Sequence, residues 1–118
     1  MKVKDTIKVI IKKPGEKVGH TCNIKNSLYI LQYTVGGPIE PIDMGDGNVI
    51  LCNEEARIRG MDYNFTYCYP YEVSNGSIVT MQVPLFGPVI ICGVDGEDFT
   101  DAKIGLSEWS DLLHEWKN

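Results

Sequence analysis

Residues 6–12, TIKVIIK, set Ile7, Val9 and Ile11 on one side and Lys8, Ile10 and Lys12 on the other. That period of two predicts a strand. Pro14-Gly15 closes it, and KVGHTC, 17–22, predicts a second strand. At Asn26-Ser27 the period changes. The pair reads as a helix cap, and Leu28, Leu31 and Val35 follow at helical spacing with Ile30 beside them. Gly36-Gly37-Pro38 stops the helix, because glycine favours the left-handed C-terminal position and proline cannot continue it. A helix of about ten residues is marginal alone, so packing must hold it.

The rest of the chain reads mostly as strands. PIEPIDM, 38–44, carries prolines and predicts an edge or partial strand. Asp46-Gly47 within GDGN is a hairpin signal. NVILC, 48–52, predicts a buried strand, NEEA a turn, and RIRG, 57–60, a strand again. In DYNFTYCYPYEV, 62–73, Tyr63, Phe65, Tyr67 and Tyr69 alternate, which predicts one aromatic face; Pro70 argues against a regular central strand beyond it. SNGS, 74–77, is a turn. IVTMQVP, 78–84, and PVIICGV, 88–94, predict strands split by Leu85-Phe86-Gly87, and DGED, 95–98, a loop. Ser107 is placed to cap a last helix, with Leu106, Trp109, Leu112, Leu113 and Trp116 as its apolar stripe. The sum is one α+β domain, residues 1–118: an antiparallel sheet meander with a short helix in the N-terminal half and an amphipathic C-terminal helix.

Composition narrows what such a domain does. With 118 residues, 43% hydrophobic and 23% charged, the chain is globular. A domain of this size has little room for a deep private cavity. A net charge of −5 disfavours a nucleic acid polymer as partner. No apolar run approaches the ~20 residues of a membrane span, so no membrane role is expected. MKVKDTIKVIIKK lacks a signal-peptide core, which points to the cytoplasm. Cys22, Cys52, Cys68 and Cys92 form no CxxC pair and read as reduced, mostly buried thiols.

Most candidate chemistry has a plainer reading. His20-Thr21-Cys22 offers two metal ligands, but no second pair has fitting spacing and His114 is remote; no metal and no cofactor is expected. Glu54, Glu55, Asp95, Glu97, Asp98 and Asp101 all fall in turns, where acids are ordinarily solvated. With no nucleophile motif either, no enzyme is expected. Gly36-Gly37 ends a helix, whereas a phosphate cradle wants a helix start. Arg57 and Arg59 leave two readings open. On a strand they share one face, which is either wet and paired with Glu54 or Glu55, or clamps phosphates through bidentate guanidinium contacts. Nearby aromatics could stack a base, worth about 1–3 kcal/mol. Asn53 and Asn64 complete the inventory of a nucleotide pocket.

The order of segments carries a resemblance. A helix runs into VGGPIE, a strand into CNEEARIRGMDYN, and a glycine-flanked apolar strand into DGEDFT. Over residues 5–102 this resembles a phage family, formerly of unknown function, that includes the anti-Thoeris sponge proteins. Val35-Gly36-Gly37, Ile39-Glu40, Cys52-Asn53-Glu54-Glu55, Gly60, Asn64, Gly87 and Asp98-Phe99-Thr100 carry it. Ala56 stands where many members have glycine. YCYPYEVSNGS and the tryptophan-bearing C-terminal helix fall outside the pattern.

The resemblance implies a protein that binds a cyclic ADP-ribose-type nucleotide made by a TIR-domain enzyme and holds it uncleaved. It implies homodimers or larger homo-oligomers with ligand between subunits, in a host bacterial cytoplasm, and for some relatives cyclic oligonucleotides at a second site. On that expectation Arg57 and Arg59 meet the pyrophosphate and Asn53 and Asn64 the ribose hydroxyls. Phe99, or an aromatic of 63–69, meets the adenine, with Asp98 and Thr100 beside it. The alternative is a small acidic protein-binding inhibitor of a host defence or restriction protein. Against it, the acids cluster in turns and lysines crowd the N-terminus.

Overall fold

The computed structural model describes residues 5–117; Lys2 and Lys4 of the N-terminal cluster lie outside the described residues. The elements run β1 (Thr6–Lys12), β2 (His20–Lys25), α1 (Leu28–Val35), β3 (Ile39–Asp43), β4 (Asn48–Asn53), β5 (Tyr63–Glu72), β6 (Ile78–Phe86), β7 (Val89–Asp95), β8 (Asp98–Thr100) and α2 (Leu106–Trp116). Consecutive strands pair as antiparallel hairpins: β1 with β2, β3 with β4, β5 with β6 and β7 with β8. The one long-range step is β7, which inserts between β1 and β4 to give the order β2-β1-β7-β4-β3. β5 and β6 form a ribbon of their own. The architecture is α+β.

The two central strands explain their own sequences. Every residue of NVILCN in β4 is buried, as are the first five of β7, because both faces of the sheet are covered. On one face Leu31 and Val35 of α1 cover Ile7, Val9, Ile11, Val49, Leu51, Ile90 and Cys92. On the other, Phe65, Tyr67 and Leu85 of the ribbon and Trp109 and Leu113 of α2 cover Ile10, Ile50, Cys52, Val89 and Ile91. Trp109 is fully enclosed, and its indole Nε1–H donates to Val18 O at 3.0 Å, so the largest apolar group in the core also has its polar atom satisfied. Phe65 meets Trp109 edge-on at 5.5 Å and Tyr67 meets Trp116 edge-on at 5.2 Å, which seats α2 on β5.

The ends of α1 follow the expected chemistry. Ser27 Oγ accepts from Ile30 N, and Gly36 at φ 86° returns its N–H to Gln32 O. Two local expectations are corrected, and β5 runs past Pro70 to Glu72 not as a central strand but in a two-stranded ribbon, which leaves the proline an open edge. Ser107 does not cap α2; Gly105 does, without a side-chain bond, and Ser107 lies inside the first turn beside Glu108. RIRG is not a strand.

Candidate functional site

Residues 53–61 form a compact turn instead of a strand. Asn53 opens it: its Oδ1 accepts from Glu55 N at 2.8 Å, an Asx-type turn. One helical turn follows, with Arg59 N donating to Glu55 O. Gly60 ends it at φ 72°, donating to Arg57 O, and Met61 N reaches back to Ala56 O. These paired bonds make the Schellman arrangement that a left-handed glycine closes. Ala56 is buried beneath the turn, and Ile58 at its tip is 90% exposed.

A helical turn separates residues two apart by about 200°. Arg57 and Arg59 therefore diverge, where a strand would align them. The Arg57 guanidinium lies 5.6 Å from the centroid of Phe86, and Phe86 meets Tyr63 edge-on at 5.8 Å. Arg59 Nη1 donates to Gly36 O at 2.8 Å, placing its charge at the carbonyl end of α1, where a cation is favoured. Both side chains are exposed. Among the described residues neither is paired with a carboxylate, Glu54 and Glu55 included. Tyr63 reaches this patch because the ribbon has an irregularity between Tyr63 and Phe65, where Asn64 is the extra residue. The bulge breaks the alternation and turns Tyr63 off the core face.

Asn53 and Asn64 lie beneath the patch, buried to 4% and 9% exposure. Asn53 Nδ2 donates to Val35 O at 3.3 Å and contacts Met61 Sδ. Asn64 Nδ2 donates to Lys12 O and to Gly87 O, each at 2.9 Å, and its Oδ1 accepts from Lys12 Nζ at 2.7 Å. A side-chain amide has two N–H donors, and in both residues these are taken up by the chain itself. Burial pulls the Lys12 ammonium below its usual pKa, an effect that neighbouring Glu16 partly offsets and Lys117 reinforces.

Asp98, Phe99 and Thr100 stand elsewhere. β8 pairs with the far end of β7, where Thr100, Gly93 and Asn48 share a row. Asn53 is at the opposite end of β4, roughly 17 Å along at ~3.4 Å per residue. Phe99 packs toward the α1-side core with Asn26 Nδ2 on its carbonyl, and Asp98 is exposed. Thr100 Oγ1 is enclosed without a hydrogen-bond partner. The seven candidate residues thus form two groups, and one protomer does not bring both to a single small ligand.

Three surface grooves are lined by other residues. One of about 450 Å³ lies between β3 and the ribbon, lined by Glu40, Ile42, Asp43, Tyr67, Tyr69 and Val83 among others. A second of about 380 Å³ lies between β1 and the 102–106 segment, and a third of about 240 Å³ beside α2. None of these three grooves includes Arg57 or Arg59, whose side chains are exposed. Phe86 and Met61, which help to build the arginine patch, carry no site signal in the sequence, and Gly36 is legible there as a helix stop. Leu85-Phe86-Gly87 reads as a break, although an aromatic just before a glycine that faces Met61 is the signal of a packed strand end.

The family model described as domain of unknown function DUF3846 matches residues 7–114, so the chain belongs to that family. No curated protein and no solved structure matches it.

Proposed function

We propose that the protein is a phage anti-defence sponge. It binds a cyclic ADP-ribose-type nucleotide of the kind a TIR-domain enzyme generates and withholds it uncleaved in the host cytoplasm. The observation that carries the reading is the pair of exposed guanidiniums, unpaired with any carboxylate among the described residues, beside Phe86 and Tyr63. Phosphate takes bidentate donors from arginine, and an adenine takes an aromatic face. Arg59 keeps further N–H donors after its bond to Gly36 O. The resemblance of the VGG, NEE and DGEDFT segments to the sponge proteins supports the same assignment.

In this reading Arg57 and Arg59 take the pyrophosphate and Tyr63 or Phe86 the base. Asn53 and Asn64 hold the patch in shape, and ribose hydroxyls reach their amides only where the turn opens. Asp98, Phe99 and Thr100 join the same ligand from a second copy or serve a second one, cyclic oligonucleotides included. Nanomolar capture corresponds to about −12 kcal/mol, more than one stacked base and two charged contacts leave after association costs. The open patch therefore works by closure between subunits.

The test is calorimetric titration with cyclic ADP-ribose isomers, followed by heat denaturation and mass spectrometry of the released ligand. Binding that falls at least tenfold in Arg57→Ala/Arg59→Ala, with ligand recovered intact, supports the reading. Undiminished binding in that variant sinks the site, absence of binding sinks the function, and recovery of cleaved ligand replaces the sponge with an enzyme.

A further inference from the structure

The ribbon outruns the layer that supports it. Its odd-numbered face starts as core, with Phe65, Tyr67 and Leu85 buried, and continues outward through Tyr69 opposite Met81 and Tyr71 opposite Val79. Past Tyr69 that face loses cover, with Tyr71, Val79 and Met81 53%, 40% and 40% exposed; Ile78, on the other face, is 64% exposed. A two-stranded ribbon is marginal in water unless it packs on other elements, and here it is the Phe65–Tyr67 end that packs on α2 and the sheet.

The pairing pattern says which edge is open. Antiparallel pairs alternate between hydrogen-bonded and non-hydrogen-bonded types. At the tip, Val73 N donates to Ser77 O, so the odd-numbered pairs are the bonded ones. The prolines agree: Pro70 faces Thr80 and Pro84 faces Thr66, both at even-numbered positions, where no N–H is needed between the strands. The backbone groups of Ile78, Thr80 and Gln82 therefore point away from β5, along an edge that is unpaired among the described residues and that Pro84 ends.

That edge lacks the usual protection. Edge strands are ordinarily blunted by charge, proline or a bulge. Edge strand β2 carries Lys25 and β3 carries Glu40, Pro41 and Asp43. The stretch IVTMQV of β6 has neither charge nor proline.

We propose that β6 is a homodimerisation edge, pairing antiparallel with β6 of a second copy about a two-fold axis at Thr80. That register sets Thr80 against Thr80 of the second copy and Ile78 against its Gln82, all with outward-pointing backbone groups. Val79 then meets Met81 of the second copy on the aromatic face. The edge is self-complementary, and being uncharged it brings no like charges together in a chain of net charge −5. The result is a four-stranded sheet with a continuous apolar strip. With the backbone edge and half-buried Tyr69 and Val83, the contact is smaller than the ~800 Å² per partner of a standard interface, so the dimer is expected to depend on protein concentration. Thr80 lies about 20 Å along β6 from Phe86, so this contact is separate from the arginine patch.

Sedimentation of the full chain at micromolar concentration tests it. The wild type is expected at twice its 13.2 kDa. Thr80→Pro removes one outward N–H and none of the β5 bonds, and is expected to sediment as a folded monomer. Met81→Lys, which puts like charges across the axis, is expected to do the same should Thr80→Pro not fold. A monomeric wild type, or a dimer that survives in the folded variants, overturns the proposal. So does a wild type that stays monomeric while its β6 edge takes up an added extended peptide. Nucleotide binding is read separately on Arg57→Ala/Arg59→Ala; because the sponge reading closes the patch between subunits, it needs a subunit contact other than β6 should β6 not pair.

Discussion

Lys12 and Asn64, 52 positions apart, close a buried clasp: the ammonium donates to Oδ1 at 2.7 Å, and the amide returns a bond to Lys12 O. The clasp ties β1 to the start of the ribbon, and the second bond to Gly87 O ties in the approach to β7. Asn64→Leu leaves a buried charge without its acceptor and is expected to cost about 3 kcal/mol. Adding Lys12→Met should restore part of that, because removing both partners removes the stranded charge. Urea midpoints at constant slope measure both. A stable Asn64→Leu that has lost nucleotide binding would instead make Asn64 a ligand contact.

Gly37 is set by its neighbour and not by its own dihedrals. A Cβ there would sit 2.9 Å from both Nδ2 and Oδ1 of Asn53, and that amide is fixed by the turn. Gly37→Ala is expected to lower stability by at least about 1 kcal/mol through overpacking. It should also loosen the 53–61 turn, seen as faster amide exchange at Glu55 and Arg59. Unchanged exchange would mean that Asn53 yields without cost.

Much of this fold is readable from the chain because local and long-range signals agree. The Ser27 cap, the Gly36 stop and the doubly buried β4 and β7 each need only neighbours in sequence and a period. The arginine turn is misread because Arg-Ile-Arg has the period of a strand, while the deciding residue is Gly60 in the left-handed region. The exposure of Ile58 shows that the alternation encodes no buried face. The candidate site is half legible for the same reason. Residue type points to Arg57 and Arg59, but their partners Phe86 and Gly36 come from distant segments, and no period marks β7 passing between β1 and β4.

The two arginines are expected to separate stability from binding. Arg59→Ala loses the bond to Gly36 O and the cation at the carbonyl end of α1, for about 0.5–1 kcal/mol. Arg57→Ala loses a contact with a half-buried ring and should be close to neutral for folding. Under the sponge reading both weaken nucleotide capture, and added salt weakens the wild type in the same direction. Melting temperatures with and without nucleotide resolve the two effects. An Arg57→Ala that changes neither quantity leaves Arg57 with no role at the patch.

Alkaline pH should act through the sheet interior. Burial pushes Cys92 up to about 12 and, with help from the Glu40 charge, Cys52 up to about 11, against an ordinary value of 9.0. A raised thiol pKa means the folded state keeps a proton that the unfolded chain releases. This stabilisation is complete below about pH 9 and drains away as pH rises toward 11 and 12. Tyr67, raised chiefly by burial, acts in the same sense. Lys12 opposes it: its lowered pKa means the unfolded chain binds more protons between that value and 10.5, so its term gains as pH rises. One lysine does not outweigh two buried thiols, so urea stability is expected to fall steadily above pH 9. Cys52→Ala/Cys92→Ala should start lower, from lost packing, but show a flatter slope over the same range. Alkylation gives an independent readout: half-buried Cys22 and Cys68 should react in the native state, and Cys52 and Cys92 only as the sheet opens. Equal slopes in wild type and double variant would show that other groups control the alkaline limit.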